Sequence, residues 1–208
     1  RQPILDEHGR LFGYELLYRG AANDTACVVG ADIASASVIT RAVLHLGLET
    51  LTDGRLAFLN VTASLVIDQI DALVGPNDVV LELLETIEVT EDLIKASRRL
   101  QSSGYRLALD DFIPQSSAEA LIPHVSFVKV DMLTTSIADA ASLAQRLRPR
   151  NVTLIAEKVE TRDVYEQTRA AGYTLFQGYY FCKPVIHARA AIPAHQMGYI
   201  RLLRALAN

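Results

Sequence analysis

Five short apolar runs in this chain each end on chemistry-bearing polar side chains, and their spacing leaves few folds open. They end at Asn60, at Glu82, at Asp110-Asp111, at Lys129 with Asp131, and at Glu157. Runs of this length bounded by turn residues read as buried strands. Strands are predicted over residues 55–61, 79–85, 106–110, 125–131, 151–156 and 175–181, and helices over 31–48, 63–73, 90–103, 136–147, 161–171 and 192–207. Such alternation favours a parallel sheet with helices outside. A hairpin predicted over residues 4–19, turning at Asp6-Glu7-His8-Gly9, brings the count to about eight strands. That number closes a (β/α)8 TIM-like barrel, whose chains usually run to about 250 residues. At 208 residues the helices must be trimmed. The rival, an open doubly wound sheet, calls for a Gly-rich phosphate loop after its first strand, and the chain has none. The expected class is therefore α/β, a barrel over residues 1–190, with a C-terminal helix over 191–208.

In a barrel the C-terminal ends of the strands share one mouth, where function sits. The polar residues placed there are Glu15, Asn60, Glu82, Asp110, Asp111, Lys129, Glu157 and Gln177. Side chains alternate across a strand, so Asp110 and Asp111 can share one site only if Asp111 lies on the turn that follows. Glu82 stands among Val80, Leu81, Leu83 and Leu84, and an unpartnered buried carboxylate costs several kcal/mol. Five converging carboxylates are expected to need divalent cations to offset their repulsion. An all-oxygen set suits Mg²⁺ or Mn²⁺ better than zinc or copper. Two such ions about 4 Å apart can clamp a phosphodiester and supply a hydroxide. The plainer alternative, open for any of these acids singly, is a helix cap or a surface ion pair.

A formal net charge of −4 argues against a binder that coats a nucleic-acid polymer. No apolar run reaches the length needed to span a bilayer. Two distant cysteines, Cys27 and Cys182, are read as free thiols of a cytoplasmic protein, and the five histidines lack zinc-ligand spacing. The opening Arg1-Gln2-Pro3-Ile4 is neither a signal peptide nor an initiator Met, so the chain is expected to be part of a longer protein. The aromatic run Tyr179-Tyr180-Phe181 is assigned mostly to the core. The apolar face of the last helix is expected to close the barrel, with a docking surface as the alternative.

These motifs, in this order, resemble the EAL domain, the bacterial cyclic-di-GMP phosphodiesterase family, over essentially the whole chain. The matching pieces are Glu15-Leu16-Leu17-Tyr18-Arg19, Asn60-Val61-Thr62-Ala63, Leu81-Glu82-Leu83-Leu84-Glu85 and Asp110-Asp111-Phe112. They continue with Val128-Lys129-Val130-Asp131, Ala156-Glu157-Lys158-Val159-Glu160-Thr161, and the stretch from Gln177-Gly178 to Lys183-Pro184. The wording of the first block and the last helix is most similar to the subgroup in which an EAL domain precedes an HDOD domain. The resemblance implies cyclic-di-GMP as ligand and linear pGpG as product. It implies Glu15, Asn60, Glu82, Asp110, Asp111 and Glu157 as ligands of two Mg²⁺ or Mn²⁺ ions. Lys129 is implied to hold the attacking water, Glu157 to assist as base and Gln177 to orient water or substrate. Arg19 is implied to contact a phosphate, Glu85 to fasten the loop after Asp111, and a homodimer is implied to couple to that loop.

Three positions depart from the family pattern. Leu16 replaces the signature Ala, and Lys158 replaces the Gly of Glu-Gly-Val-Glu, where it is expected to pair with Glu157 or with substrate. Ile113-Pro114-Gln115-Ser116-Ser117 replaces Gly-Thr-Gly-Tyr-Ser-Ser. Glycines permit positive φ, which Ile, Pro and Gln do not readily adopt. The complete ligand set favours a hydrolase. The altered loop favours a weakly active domain that senses cyclic-di-GMP or docks a protein, and a barrel enzyme acting on another phosphate or enolisable substrate is a third reading.

Overall fold

The computed structural model describes residues 1–17 and 48–182, apart from residues 69 and 73. The strands are β1 (Gln2–Asp6), β2 (Leu11–Glu15), β3 (Leu56–Val61), β4 (Val79–Leu83), β5 (Arg106–Leu109), β6 (Phe127–Asp131), β7 (Thr153–Glu157) and β8 (Leu175–Phe176). They close a barrel in sequence order. The expected hairpin makes β1 antiparallel to β2, and β1 also closes the barrel antiparallel to β8; every other pair is parallel. The described helices are α1 (Leu48–Thr52), α2 (Ala63–Asp68), α3 (Glu91–Ser102), α4 (Ile137–Leu147) and α5 (Arg162–Ala171). Trimming is plainest between β5 and β6, where a 3₁₀ segment, Ser117–His124, stands in for a helix.

Local chemistry explains the element ends. Thr90, Ser136 and Thr161 cap α3, α4 and α5 by accepting the N–H of Leu93, Asp139 and Val164, which satisfies donors that a helix start leaves open. Gly172, at φ 108, ends α5 in the left-handed conformation that glycine adopts without strain. Strand alternation then divides the apolar residues in two. Leu59, Leu81, Leu107, Val128 and Leu154 face the helices and pack with Leu93, Leu100 and Leu143. Ile4, Phe58, Val80, Ala108, Phe127, Ile155 and Leu175 fill the barrel interior, where Phe58 and Phe127 meet edge-on at 5.4 Å.

Several boundaries differ from the sequence expectation. The strand expected over 175–181 stops at Phe176, because Gly178 at φ 154 turns the chain. Tyr179 and Tyr180 are consequently exposed rather than core, and Tyr180 stacks on Tyr165 at 5.9 Å. The helix expected over 63–73 is α2 followed by a 3₁₀ turn, Ile70–Ala72. Gln115 does adopt positive φ, at 66°, against the expectation for that loop; its N–H donates to Glu119 Oε1 at 2.7 Å, and Glu119 is held by Arg146 at 2.7 Å. Arg19, Cys27, Lys183, Pro184, the helix expected over 31–48 except its last residue, Leu48, and the helix expected over 192–207 lie outside the described residues. Among the described residues no helix is long and apolar enough to cross a membrane.

Candidate active site

Six of the eight strands set a functional residue two positions beyond an interior apolar one. Phe58 precedes Asn60, Val80 precedes Glu82, Ala108 precedes Asp110, Phe127 precedes Lys129, Ile155 precedes Glu157 and Leu175 precedes Gln177. Because residues i and i+2 share a face, the apolar interior forms a floor and the polar residues form a layer directly above it. Glu15, at the end of β2, joins them. Eight of the expected residues thus converge on one mouth, and a hollow of about 250 Å³ opens above them, bordered by Glu15, Asn60, Asp110, Asp111, Glu157 and Gln177.

The paired acids sit as alternation requires. Asp110 N–H still donates to Leu83 O and Phe112 N–H to Lys129 O, both at 2.9 Å. Between these anchors Asp111 turns at φ 38, so both carboxylates face the hollow. Gln177 is placed by a close approach: Gly178 lies against the backbone of Val159, whose N–H donates to Gln177 O at 3.0 Å. Gln177 Nε2 then donates to Glu15 Oε2 at 2.6 Å.

Lys129 lies at the centre, fully buried. Its Nζ is 2.8 Å from Glu82 Oε1, 2.8 Å from Asp110 Oδ1, 2.9 Å from Glu157 Oε1 and 3.7 Å from Glu15 Oε1. The expectation that only divalent cations offset the carboxylate repulsion is corrected here, since an internal ammonium neutralises part of it. Burial works to lower the Lys129 pKa, but Glu82, Glu157, Glu15 and Asp110 outweigh it and hold the pKa well above the usual lysine value. Burial, against the pull of Lys129, pushes Glu82 well up. Glu157 rises to about 8 for the same reason, with the charges of Asp110 and Glu15 adding to it.

The ammonium does not satisfy the site. Asn60 Oδ1, both Glu82 oxygens and Gln177 Oε1 are buried with no hydrogen-bond partner among the described residues; the short Lys129 contact to Glu82 is an ion pair without hydrogen-bond alignment. One oxygen each from Asp110, Asp111 and Glu157 lie within 4.8 Å of one another. Hard divalent cations take such oxygen sets, so the residues present fit Mg²⁺ or Mn²⁺.

One residue behaves differently from expectation, and two others were not expected at the mouth. Lys158 pairs with Asp131 and Asp111 rather than with Glu157: its Nζ is 2.5 Å from Asp131 Oδ2 and 3.3 Å from each Asp111 oxygen. Glu85, expected to support the loop after Asp111, is exposed and shares a narrow groove with Ser116, Ser117 and Ala118 of the segment that follows. Asp131 and Gln2 were missed as site residues. Asp131 follows Lys129 by two positions on one strand face, which was a usable signal. Gln2 borders the hollow because β1 runs in reverse, so its residue two before Ile4 reaches the mouth.

The EAL domain family profile matches residues 2–184. The chain is 35% identical over 213 residues to Uncharacterized protein YuxH of Bacillus subtilis, covering all of this chain and 52% of that protein. It is 37% identical over 202 residues to Cyclic di-GMP phosphodiesterase CdgJ of Vibrio cholerae, covering 94% of this chain and 46% of that protein. It therefore spans about half the length of the curated relatives it matches. Among solved structures, the Bacillus subtilis YkuI protein, with an EAL domain and in complex with c-di-GMP and calcium, superposes with a TM-score of 0.68 at 20% identity, over 99% of this chain and 59% of that one. With a barrel of that fold, the ordered polar layer at its mouth and a profile match over nearly its whole length, the chain belongs to the EAL domain family.

Proposed function

We propose that this chain binds cyclic-di-GMP and hydrolyses one of its phosphodiester bonds to give linear pGpG, using two Mg²⁺ or Mn²⁺ ions. The observation that carries this reading is the layer of Glu15, Asn60, Glu82, Asp110, Asp111 and Glu157 around a buried ammonium, with several of its oxygens unpartnered. The names of CdgJ and of the YkuI complex support the same substrate.

In this reading those six residues would hold the ions. When bound, the ions polarise the phosphate and lower the pKa of a water that attacks in line. Lys129 stays protonated, so its Nζ keeps Glu82, Asp110 and Glu157 in register and donates a hydrogen bond to the incoming water. Glu157 would take the proton at a carboxylate oxygen. Gln177 spends its Nε2 on Glu15 and presents Oε1 to water or to a guanine N–H. Arg19 binds a phosphate oxygen, and Glu85 steadies the segment that follows Asp111.

The same reading makes residues 1–190 the barrel and 191–208 a helix toward an HDOD-like domain, in a cytoplasmic protein that works as a homodimer. The test is to incubate purified chain with cyclic-di-GMP and Mg²⁺ or Mn²⁺ and follow pGpG by chromatography. Metal-dependent product that vanishes in Asp110→Asn is expected. Calorimetric binding of the nucleotide without any product would refute hydrolysis and leave a sensor.

A further inference from the structure

We propose that Lys158 is a tethered cation that competes with a divalent ion for Asp111, so that an ion using this carboxylate enters only when Lys158 withdraws. The inference rests on the metal-binding reading of this same mouth. Lys158 Nζ is equidistant, at 3.3 Å, from the two oxygens of Asp111, which places it on the axis that a bidentate ligand would use. A divalent ion of this class needs a carboxylate oxygen at about 2.1 Å. An ion on Asp111 and an ammonium docked against the same carboxylate are therefore close like charges, and one excludes the other.

The backbone is built to hold the ammonium there. Lys158 has φ 53, a left-handed conformation that is unfavourable for any residue with a Cβ. It cannot relax freely, because the next residue, Val159, is tied by its N–H to Gln177 O at 3.0 Å. The conformation directs the side chain over the mouth, where Asp131 provides its second contact at 2.5 Å. Asp131 is itself fixed, accepting the Leu133 N–H at 2.7 Å.

Burial separates the roles of the two lysines. Lys129 is 0% exposed and contacts four carboxylates, so it cannot leave without unfolding the mouth. The Lys158 side chain is 44% exposed, and its ion pairs among the described residues go to Asp111 and Asp131. It can rotate into water, or keep only Asp131, at little cost. Among the described residues the ion pairs of Lys129 go to Glu15, Glu82, Asp110 and Glu157, and those of Lys158 to Asp111 and Asp131, so replacing Lys158 leaves the carboxylates packed on Lys129 with their cation.

The experiment is a titration of Mn²⁺ alone into metal-free protein, with free Mn²⁺ counted by electron paramagnetic resonance and heats by calorimetry. The wild type, Lys158→Met and Lys158→Arg are compared. Lys158→Gly serves as a second neutral variant suited to the left-handed backbone, and thermal melts check that each is folded. Both neutral variants should tighten Mn²⁺ binding by about tenfold or more, while Lys158→Arg should resemble the wild type. Unchanged affinities in both neutral variants would overturn the role of Lys158 alone. No Mn²⁺ uptake by any of the proteins would overturn the metal reading of the mouth together with it.

Discussion

Replacing Lys129 with Met removes the one buried cation around which four carboxylates pack, and the cost should depend on pH. Nζ stands within 2.9 Å of Glu82, Asp110 and Glu157. Breaking a buried pair by deleting one partner costs about 3–5 kcal/mol. The acids have an escape, because a proton can replace the lost ammonium. The folded pKa of Glu157, about 8, stands above its ordinary 4.5, and Glu82 is shifted the same way. The folded state therefore binds protons that the unfolded state has released. Stability is fully present below the unfolded value and is lost as pH rises through the folded one, by about 1.4 kcal/mol per pH unit per proton. For Glu157 alone the window amounts to roughly 5 kcal/mol. Lys129 now opposes this shift, so the variant should show a steeper decline. Urea denaturation in EDTA should find Lys129→Met less stable than the wild type by about 1–2 kcal/mol at pH 5 and by about 3–5 kcal/mol at pH 8. An equal loss at the two pH values, or none at pH 8, would show that the ammonium does not hold the carboxylates together.

Substitutions at two further positions test the backbone that frames the mouth. A Cβ at Gly178 would lie 2.2 Å from Val159 O and 2.3 Å from Val159 N, so Gly178→Ala should cost about 3 kcal/mol or more in urea denaturation; a change below about 1 kcal/mol would refute the close approach. Gln115 occupies the left-handed region at φ 66, so Gln115→Gly should raise stability by up to about 1 kcal/mol while Gln115→Val lowers it by about 1–2 kcal/mol. Equal melting temperatures for the Gly and Val variants would argue against that conformation.

Much of the mouth was legible because polar residues at strand ends break an otherwise apolar alternation. Asn60, Glu82, Asp110, Glu157 and Gln177 each follow an interior residue by two, and that period survives without any tertiary information. Lys129 was equally visible as a residue, but its place was not. It sits inside β6 rather than at its end, and only closure of the barrel puts Glu15, from the other side of the chain, within 3.7 Å of it. The stop of β8 at Phe176 was hidden because Tyr179, Tyr180 and Phe181 have the propensity of a strand. Gly178 overrides that propensity by turning the backbone against Val159.

Sequence by itself determined the α/β barrel, its antiparallel first hairpin and the identity of the polar layer, since these depend on the periods of strands and helices and on which residue types break them. Tertiary structure decided the electrostatics. The partners of Lys129 come from β2, β4, β7 and the end of β5, and those of Lys158 from the turn after β5 and the end of β6. Ionic contacts between residues so distant in the chain depend on strand register and on side-chain direction at a closed mouth. Periodicity names the charges that arrive there, and only the closed barrel pairs them.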